Sequence, residues 1–132
     1  RVLVGGPKPA PFVAPTVLDG VDEDRRIVRE EVFGPVLVVQ RAKDLDHAIE
    51  LANAGDYGLA AGIATGDLDA ALVAARRLRA GTVWINTWNR TYPELPTGGF
   101  GASGLGRELG LEGLDAYLEP MTVQVEPARR AS

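Results

Sequence analysis

The chain has 132 residues, 45% of them hydrophobic and 24% charged, with a net charge of -4, a single histidine and no cysteine. That size and apolar content suit one globular unit with a modest core, and the mild, dispersed charge provides neither a nucleic-acid footprint nor a polybasic membrane patch. Lack of cysteine excludes a disulfide scaffold and thiolate metal ligands, and His47 alone supplies no metal site. No apolar run nears the roughly 20 residues of a membrane-spanning helix. Arg1-Val2-Leu3-Val4-Gly5-Gly6 has no signal-peptide core, so a cytoplasmic location is expected.

Pro7, Pro9, Pro11 and Pro15 punctuate the first segment, leaving room only for short extended pieces at Val2–Val4 and Thr16–Leu18. Val36–Gln40 is a β-branched apolar run without alternation, the pattern of a parallel strand covered on both faces. Asp44 then offers an N-cap to a helix whose apolar stripe is Leu45, Ala48, Ile49 and Ala52, ended by Gly55. The same grammar repeats. Leu59–Ala64 reads as a second strand, and Asp67 caps a helix running to about Ala80 with the stripe Leu68, Leu72, Ala75 and Leu78. Arg76, Arg77 and Arg79 suit its negative end, and Gly81 is expected in the left-handed C′ conformation. Thr82–Asn86 forms a third strand.

A β-α-β-α-β alternation with short connections predicts a twisted, largely parallel sheet with right-handed crossovers, and ligands at the carboxyl ends of its strands. Asn86 falls at such an end. Thr87–Arg107, rich in Pro and Gly, is too long for a simple connector and reads as a functional or mobile loop. A short helix is expected around Glu108–Tyr117, an alternating half-buried strand at Met121–Glu126, and a frayed terminus from Pro127.

Gly99-Phe100-Gly101-Ala102-Ser103-Gly104 spells the dinucleotide pattern G-x-G-x-x-G, but Tyr92–Thr97 before it cannot be a buried strand and two glycines interrupt the helix after it. A conformationally special loop is the better reading. His47 lies beside an apolar helical stripe as a surface residue, and no serine elbow or Walker loop occurs. Glu30 and Glu31 are chain neighbours, a spacing that suits a solvated turn better than an acid/base dyad.

Three blocks in fixed order carry more information. Glu31-Val32-Phe33-Gly34-Pro35, Gly81-Thr82-Val83-Trp84-Ile85-Asn86 and Ser103-Gly104-Leu105-Gly106-Arg107-Glu108 resemble the C-terminal signature blocks of the aldehyde dehydrogenase superfamily, and the likeness extends from Val2 to Val125. Two positions depart from it: Thr97 stands where an aromatic often precedes the paired glycines, and Gly101 where lysine is frequent.

The resemblance implies a three-layer α/β sandwich with a largely parallel sheet and a C-terminal oligomerisation strand. Residues 1–117 would be the C-terminal portion of the catalytic domain and residues 118–132 the strand and tail. It also implies NAD or NADP as cofactor and a small-molecule aldehyde as substrate. Glu31 would bind the nicotinamide-ribose hydroxyls, Phe33 would contact the nicotinamide, and Leu59 would line the same side. Asn86 would face the catalytic pocket. Arg107 and Glu108 would be structural, with a buried proton route as the alternative for Glu108. Family members attack the aldehyde with a cysteine thiolate and hydrolyse the thioester with a glutamate base, both upstream of Arg1, so this chain alone is expected to be inactive. Two other readings stay open: a truncated, non-catalytic homologue acting as an assembly or regulatory subunit, and a stand-alone nucleotide-binding module. An Arg107–Glu119 ion pair is expected to tie the glycine loop to the tail.

Overall fold

The computed structural model describes residues 1–127. Its architecture is α/β with parallel and mixed sheets, as expected. Strand β1 (Val2–Val4) runs antiparallel to β2 (Thr16–Asp19), and β2 runs parallel to β3 (Val36–Val39) in the register Thr16↔Val36 to Asp19↔Val39. The β2–β3 crossover contains a one-turn helix, α1 (Arg26–Arg29), that the sequence pattern does not announce.

Helix α2 (Leu45–Asn53) starts where Asp44 accepts a hydrogen bond from the His47 amide at 2.8 Å, and it buries Ile49. Helix α3 (Leu68–Arg77) starts likewise, with Asp67 accepting from the Ala70 amide at 3.0 Å. It links two parallel strands, β5 (Ala60–Ile63) and β6 (Thr82–Ile85), paired from Ala60↔Thr82 to Ile63↔Ile85. A further pair, β4 (Tyr57–Gly58) with β7 (Phe100–Gly101), is antiparallel and brings the glycine loop back beside β5. Helix α4 covers Gly110–Asp115.

Several expectations need correction. The predicted strands do not form one ladder: β3 pairs with β2, and β5 with β6, in separate sheets. Periodicity identifies elements and crossovers but not which edges meet. The covered face of α3 is Ala71 and Ala74, whereas Leu68 and Leu72 are 63% and 40% exposed. Helix α3 also packs against α2. There Asn53 donates to the Arg77 carbonyl at 2.9 Å and accepts from the Arg79 amide at 2.8 Å, and Asp46 pairs with Arg77. Gly81 does not take the left-handed conformation. It must be glycine because a Cβ there would strike the Gly98 carbonyl.

Residues 118–127 pair with no strand among the described residues, and Met121, Val123 and Val125 lie open to solvent. The expected terminal fraying from Pro127 concerns mostly residues 128–132, which lie outside the described residues. The expected self-contained core is also absent. Only Ile49, Ala71 and Ala74 are buried apolar residues among those described, and 10978 Å² of surface is accessible. A compact monomer of this mass would expose about 6,700 Å². Strand β3, predicted to be covered on both faces, leaves Leu37 61% exposed. The apolar residues suit the composition of a globular unit, but most of the large ones among those described stay exposed.

Candidate cofactor cleft and carboxyl-end cavity

The segment carrying Glu31 is fixed from just upstream. Arg29, the last residue of helix α1, reaches in two directions: Nε donates to the Glu23 carbonyl at 2.6 Å, and Nη1 donates to the Ala54 carbonyl at the end of α2. A guanidinium at a helix C-terminus satisfies a free carbonyl and meets the negative end of the helix dipole. The two neighbouring glutamates then separate in role. Arg26 grips Glu30 bidentately, Nε to Oε1 and Nη2 to Oε2 at 2.7 Å each, and this hydrogen bonding holds the Glu30 carboxyl below its ordinary value. Glu31 makes no side-chain hydrogen bond or ion pair among the described residues and stays exposed. One carboxylate of the pair is spent, and the other is available to a ligand.

Glu31 and Leu59 line one cavity of about 420 Å³, together with Arg29, Tyr57, Gly58 and Ser103. Ser103 completes the wall: its hydroxyl accepts the Gly58 amide at 3.0 Å, joining positions far apart in sequence. A Cβ at Gly99 would strike the Ser103 side chain, so glycine there lets the loop fold tightly. Arg107 secures that loop by donating from Nη1 to the Gly99 carbonyl at 2.9 Å and the Gly106 carbonyl at 2.7 Å, with its guanidinium 5.1 Å from the Phe100 ring centroid.

The loop is therefore a turn between β7 and a backbone bridge, not a phosphate cradle. Gly104 leads into Thr97↔Glu108 pairing, and α4 begins only at Gly110. Glu108 takes part through its backbone, exchanging hydrogen bonds of 2.7 Å with Thr97, while its side chain is exposed. The expected Arg107–Glu119 ion pair is not formed within the chain, because the Arg107 guanidinium is committed to loop carbonyls instead.

Phe33 is 98% exposed and lines neither this cavity nor the next. Asn86 lies elsewhere, at the carboxyl end of β6, in a second cavity of about 640 Å³ with Gly62, Ile63, Ala64, Thr87 and Trp88. The two cavities flank opposite ends of β5, a separation of about 13 Å for a four-residue strand. Asn86 has φ 52°, a left-handed conformation that asparagine tolerates, and its amide is bonded to the Thr65 backbone. A third, acidic hollow lined by Asp19, Asp22, Glu23 and Asp24 stands apart from both; Asp19 there is lowered by its hydrogen bond with Arg41 at 3.2 Å. No group of three or more carboxylates and histidines among the described residues is placed to hold a metal ion.

The anchoring roles of Arg29 and Ser103 were not legible in the sequence. Arg29 is separated from Ala54, and Ser103 from Gly58, by stretches that carry no local signal for either contact.

A free carboxylate and a clamped glycine loop thus line one cleft of this α/β scaffold. The chain belongs to the aldehyde dehydrogenase family, whose description matches residues 1–123. It is 50% identical over 125 residues to the mitochondrial aldehyde dehydrogenase of Leishmania tarentolae, covering 92% of this chain and 25% of that protein. The NAD-dependent aldehyde dehydrogenase of Sinorhizobium meliloti superposes with a TM-score of 0.89 at 45% identity, over 100% of this chain and 27% of that one. The P. syringae indole-3-acetaldehyde dehydrogenase C302A mutant, in complex with NAD+ and IAA, gives 0.84 at 42% identity, over 90% and 25%. The chain thus spans about a quarter of the curated relative's length. No helix among the described residues is long and apolar enough to cross a membrane.

Proposed function

We propose that this chain forms the nicotinamide-side wall of an NAD-dependent aldehyde dehydrogenase that oxidises an aldehyde to a carboxylic acid in the cytoplasm. One observation carries the reading: Arg26 neutralises Glu30 and leaves Glu31 as an unpaired carboxylate on the same cavity as Leu59 and Ser103. A free carboxylate accepts two hydroxyl hydrogen bonds at once, so the residues present fit a ribose diol. NAD is preferred to NADP because the solved neighbours include enzymes titled as NAD-dependent or in complex with NAD+.

Bound there, the dinucleotide supplies the hydride acceptor. Glu31 orients the ribose, Leu59 and Ser103 shape the wall, and Arg29 holds the Glu31 segment to the end of α2. Phe33, fully open on this chain, is free to lie against the nicotinamide. The carboxyl-end cavity with Asn86 and Trp88 receives the aldehyde's non-reacting part. The nucleophilic cysteine and the general-base glutamate come from sequence outside this chain, which contains no cysteine. Glu108 is structural, through its Thr97 bridge. Residues 1–117 form the catalytic-domain portion; residues 118–132 form the tail, whose exposed alternation Met121, Val123 and Val125 suits a strand added to a neighbouring subunit. The exposed apolar surface supports burial against the remaining enzyme and a homo-oligomer.

The experiment is steady-state kinetics of the complete enzyme with Glu31→Gln. A rise in the apparent constant for NAD, or lost turnover, with a normal melting temperature is expected. Wild-type kinetics would remove the ribose assignment.

A further inference from the structure

The carboxyl-end cavity has an unusual floor. In the β5–β6 register Gly62 lies opposite Trp84, and the chain after β6 folds back so that Trp88 rests directly on Gly62. A Cβ at Gly62 would lie 2.9 Å from both Cε3 and Cζ3 of the Trp88 indole, closer than real Cβ atoms approach an aromatic ring. The indole also packs at 5.0 Å from the Trp84 ring, tilted by 59°. Trp84 in turn donates from Nε1 to the Arg90 carbonyl at 2.8 Å, closing the fold-back at its far side. Gly62 has no positive φ, so its small size here answers to the indole and not to its own backbone.

We infer that Gly62 is a positioning residue that sets the width of the aldehyde-admitting cavity by seating Trp88. The inference rests on the reading above that this cavity takes the aldehyde. The indole is held on one side by Gly62 and Trp84 and is 65% exposed on the other, where it forms a cavity wall beside Asn86 and Thr87. A methyl group at position 62 must lift the ring toward the cavity, because β5 is held by its pairing with β6 while the indole is open to solvent on its far side. The wall then moves inward, at the cost of long or bulky aldehydes first.

The test compares the complete enzyme with Gly62→Ala, Trp88→Ala and the double variant, on straight-chain aldehydes of increasing length and on benzaldehyde. Gly62→Ala should raise KM for the largest aldehydes by about tenfold, the scale of one methylene in an apolar pocket, with propanal changed less than about twofold. KM for NAD should stay constant, and the size dependence should vanish in the Trp88→Ala background. Trp88→Ala alone should flatten the dependence, a readout that survives if Gly62→Ala folds poorly. Thermal melting of the four proteins reads the seat without turnover: the Gly62→Ala loss should shrink when Trp88 is already alanine. No aldehyde turnover in the parent would remove the proposed function, while the melting cycle would still test the contact. An unchanged aldehyde profile in Gly62→Ala, or additive effects of the two substitutions, would overturn the assignment.

Discussion

Asn86 holds Thr65 by both ends of its carboxamide: Oδ1 accepts the Thr65 amide at 2.9 Å and Nδ2 donates to the Thr65 carbonyl at 2.9 Å. With its own amide bonded to the Ile63 carbonyl at 2.8 Å, Asn86 extends the β5–β6 pairing past the end of the strands. The side chain imitates one more rung of the ladder, and it also fixes the turn leading to the Asp67 cap of α3.

Asn86→Ala should therefore reach catalysis through this clasp. The change deletes two hydrogen bonds, worth about 1 kcal/mol each, and places a Cβ-bearing residue without local compensation at positive φ. Asn86→Gly removes the same bonds but tolerates the backbone. Melting temperatures of the complete enzyme should fall for both and further for alanine, with KM for the aldehyde raised and KM for NAD constant. Equal melting of both variants with the wild type would show that the clasp contributes nothing.

Glu31→Gln and Glu30→Gln should behave differently although the residues are neighbours. Losing the charged acceptor at Glu31 should cost about 1–3 kcal/mol of transition-state stabilisation, roughly ten- to a hundredfold in kcat/KM for NAD. Glu30→Gln chiefly releases Arg26, an exposed pair, and should cost less than either figure. Comparable kinetic losses in the two variants would contradict the division of labour.

The polypeptide of residues 1–132, assayed with NAD or NADP and a panel of aldehydes, should show no aldehyde oxidation. Without cysteine it cannot form a thioester. Its NAD affinity should be weak, since Glu31 and Leu59, in the role proposed for them, would meet only one end of a dinucleotide; micromolar binding by calorimetry would favour an independent nucleotide module.

Acid should weaken the fold in a definite order. Glu30 lies below the ordinary glutamate value of 4.5 because of its hydrogen bonds from Arg26, and Asp19 lies below the ordinary aspartate value of 3.8 through Arg41. A carboxyl group with a depressed folded pKa contributes stability that is complete above its unfolded value and is lost as pH falls through the folded one. Melting should thus be insensitive to both groups near neutrality and decline below about pH 4.5. Arg26→Gln should make the acid limb shallower. An identical limb in this variant would exclude a contribution from Glu30.

Gly81→Ala should destabilise the complete enzyme by about 1–3 kcal/mol, the usual cost of overpacking, because the obstruction is the Gly98 backbone. Gly66, with open space at its Cβ position, is the control. Denaturant melts of both alanine variants should show a clear drop only for Gly81.

What the sequence disclosed was mostly local. Asp44 and Asp67 were legible as caps because each bonds an amide three residues ahead, and Ile49 because its helix has an unbroken stripe. Glu31 and Asn86 came from signature blocks and Leu59 from the wider resemblance, and two of these three meet on one cavity. The rest depended on distant partners. Helical spacing with Ala75 and Leu78 marks Leu68 and Leu72 as the buried face of α3, but the face the fold covers is that of Ala71 and Ala74. Gly81 suggested a helix stop when its real constraint comes from Gly98. The alternation of Met121, Val123 and Val125 is sound as a strand pattern, yet it pairs with no strand among the described residues.

The Ser103–Gly58 hydrogen bond turns one backbone proton into a gauge of the cleft. Deuterium replaces the Gly58 amide hydrogen when the glycine loop parts from the strand leading to Leu59, so its exchange rate reports the equilibrium opening of that wall. A ligand that closes the cleft should slow exchange at this one position more than at amides on the outer surface of α2, giving a residue-level signal of occupancy that requires neither turnover nor a chromophore.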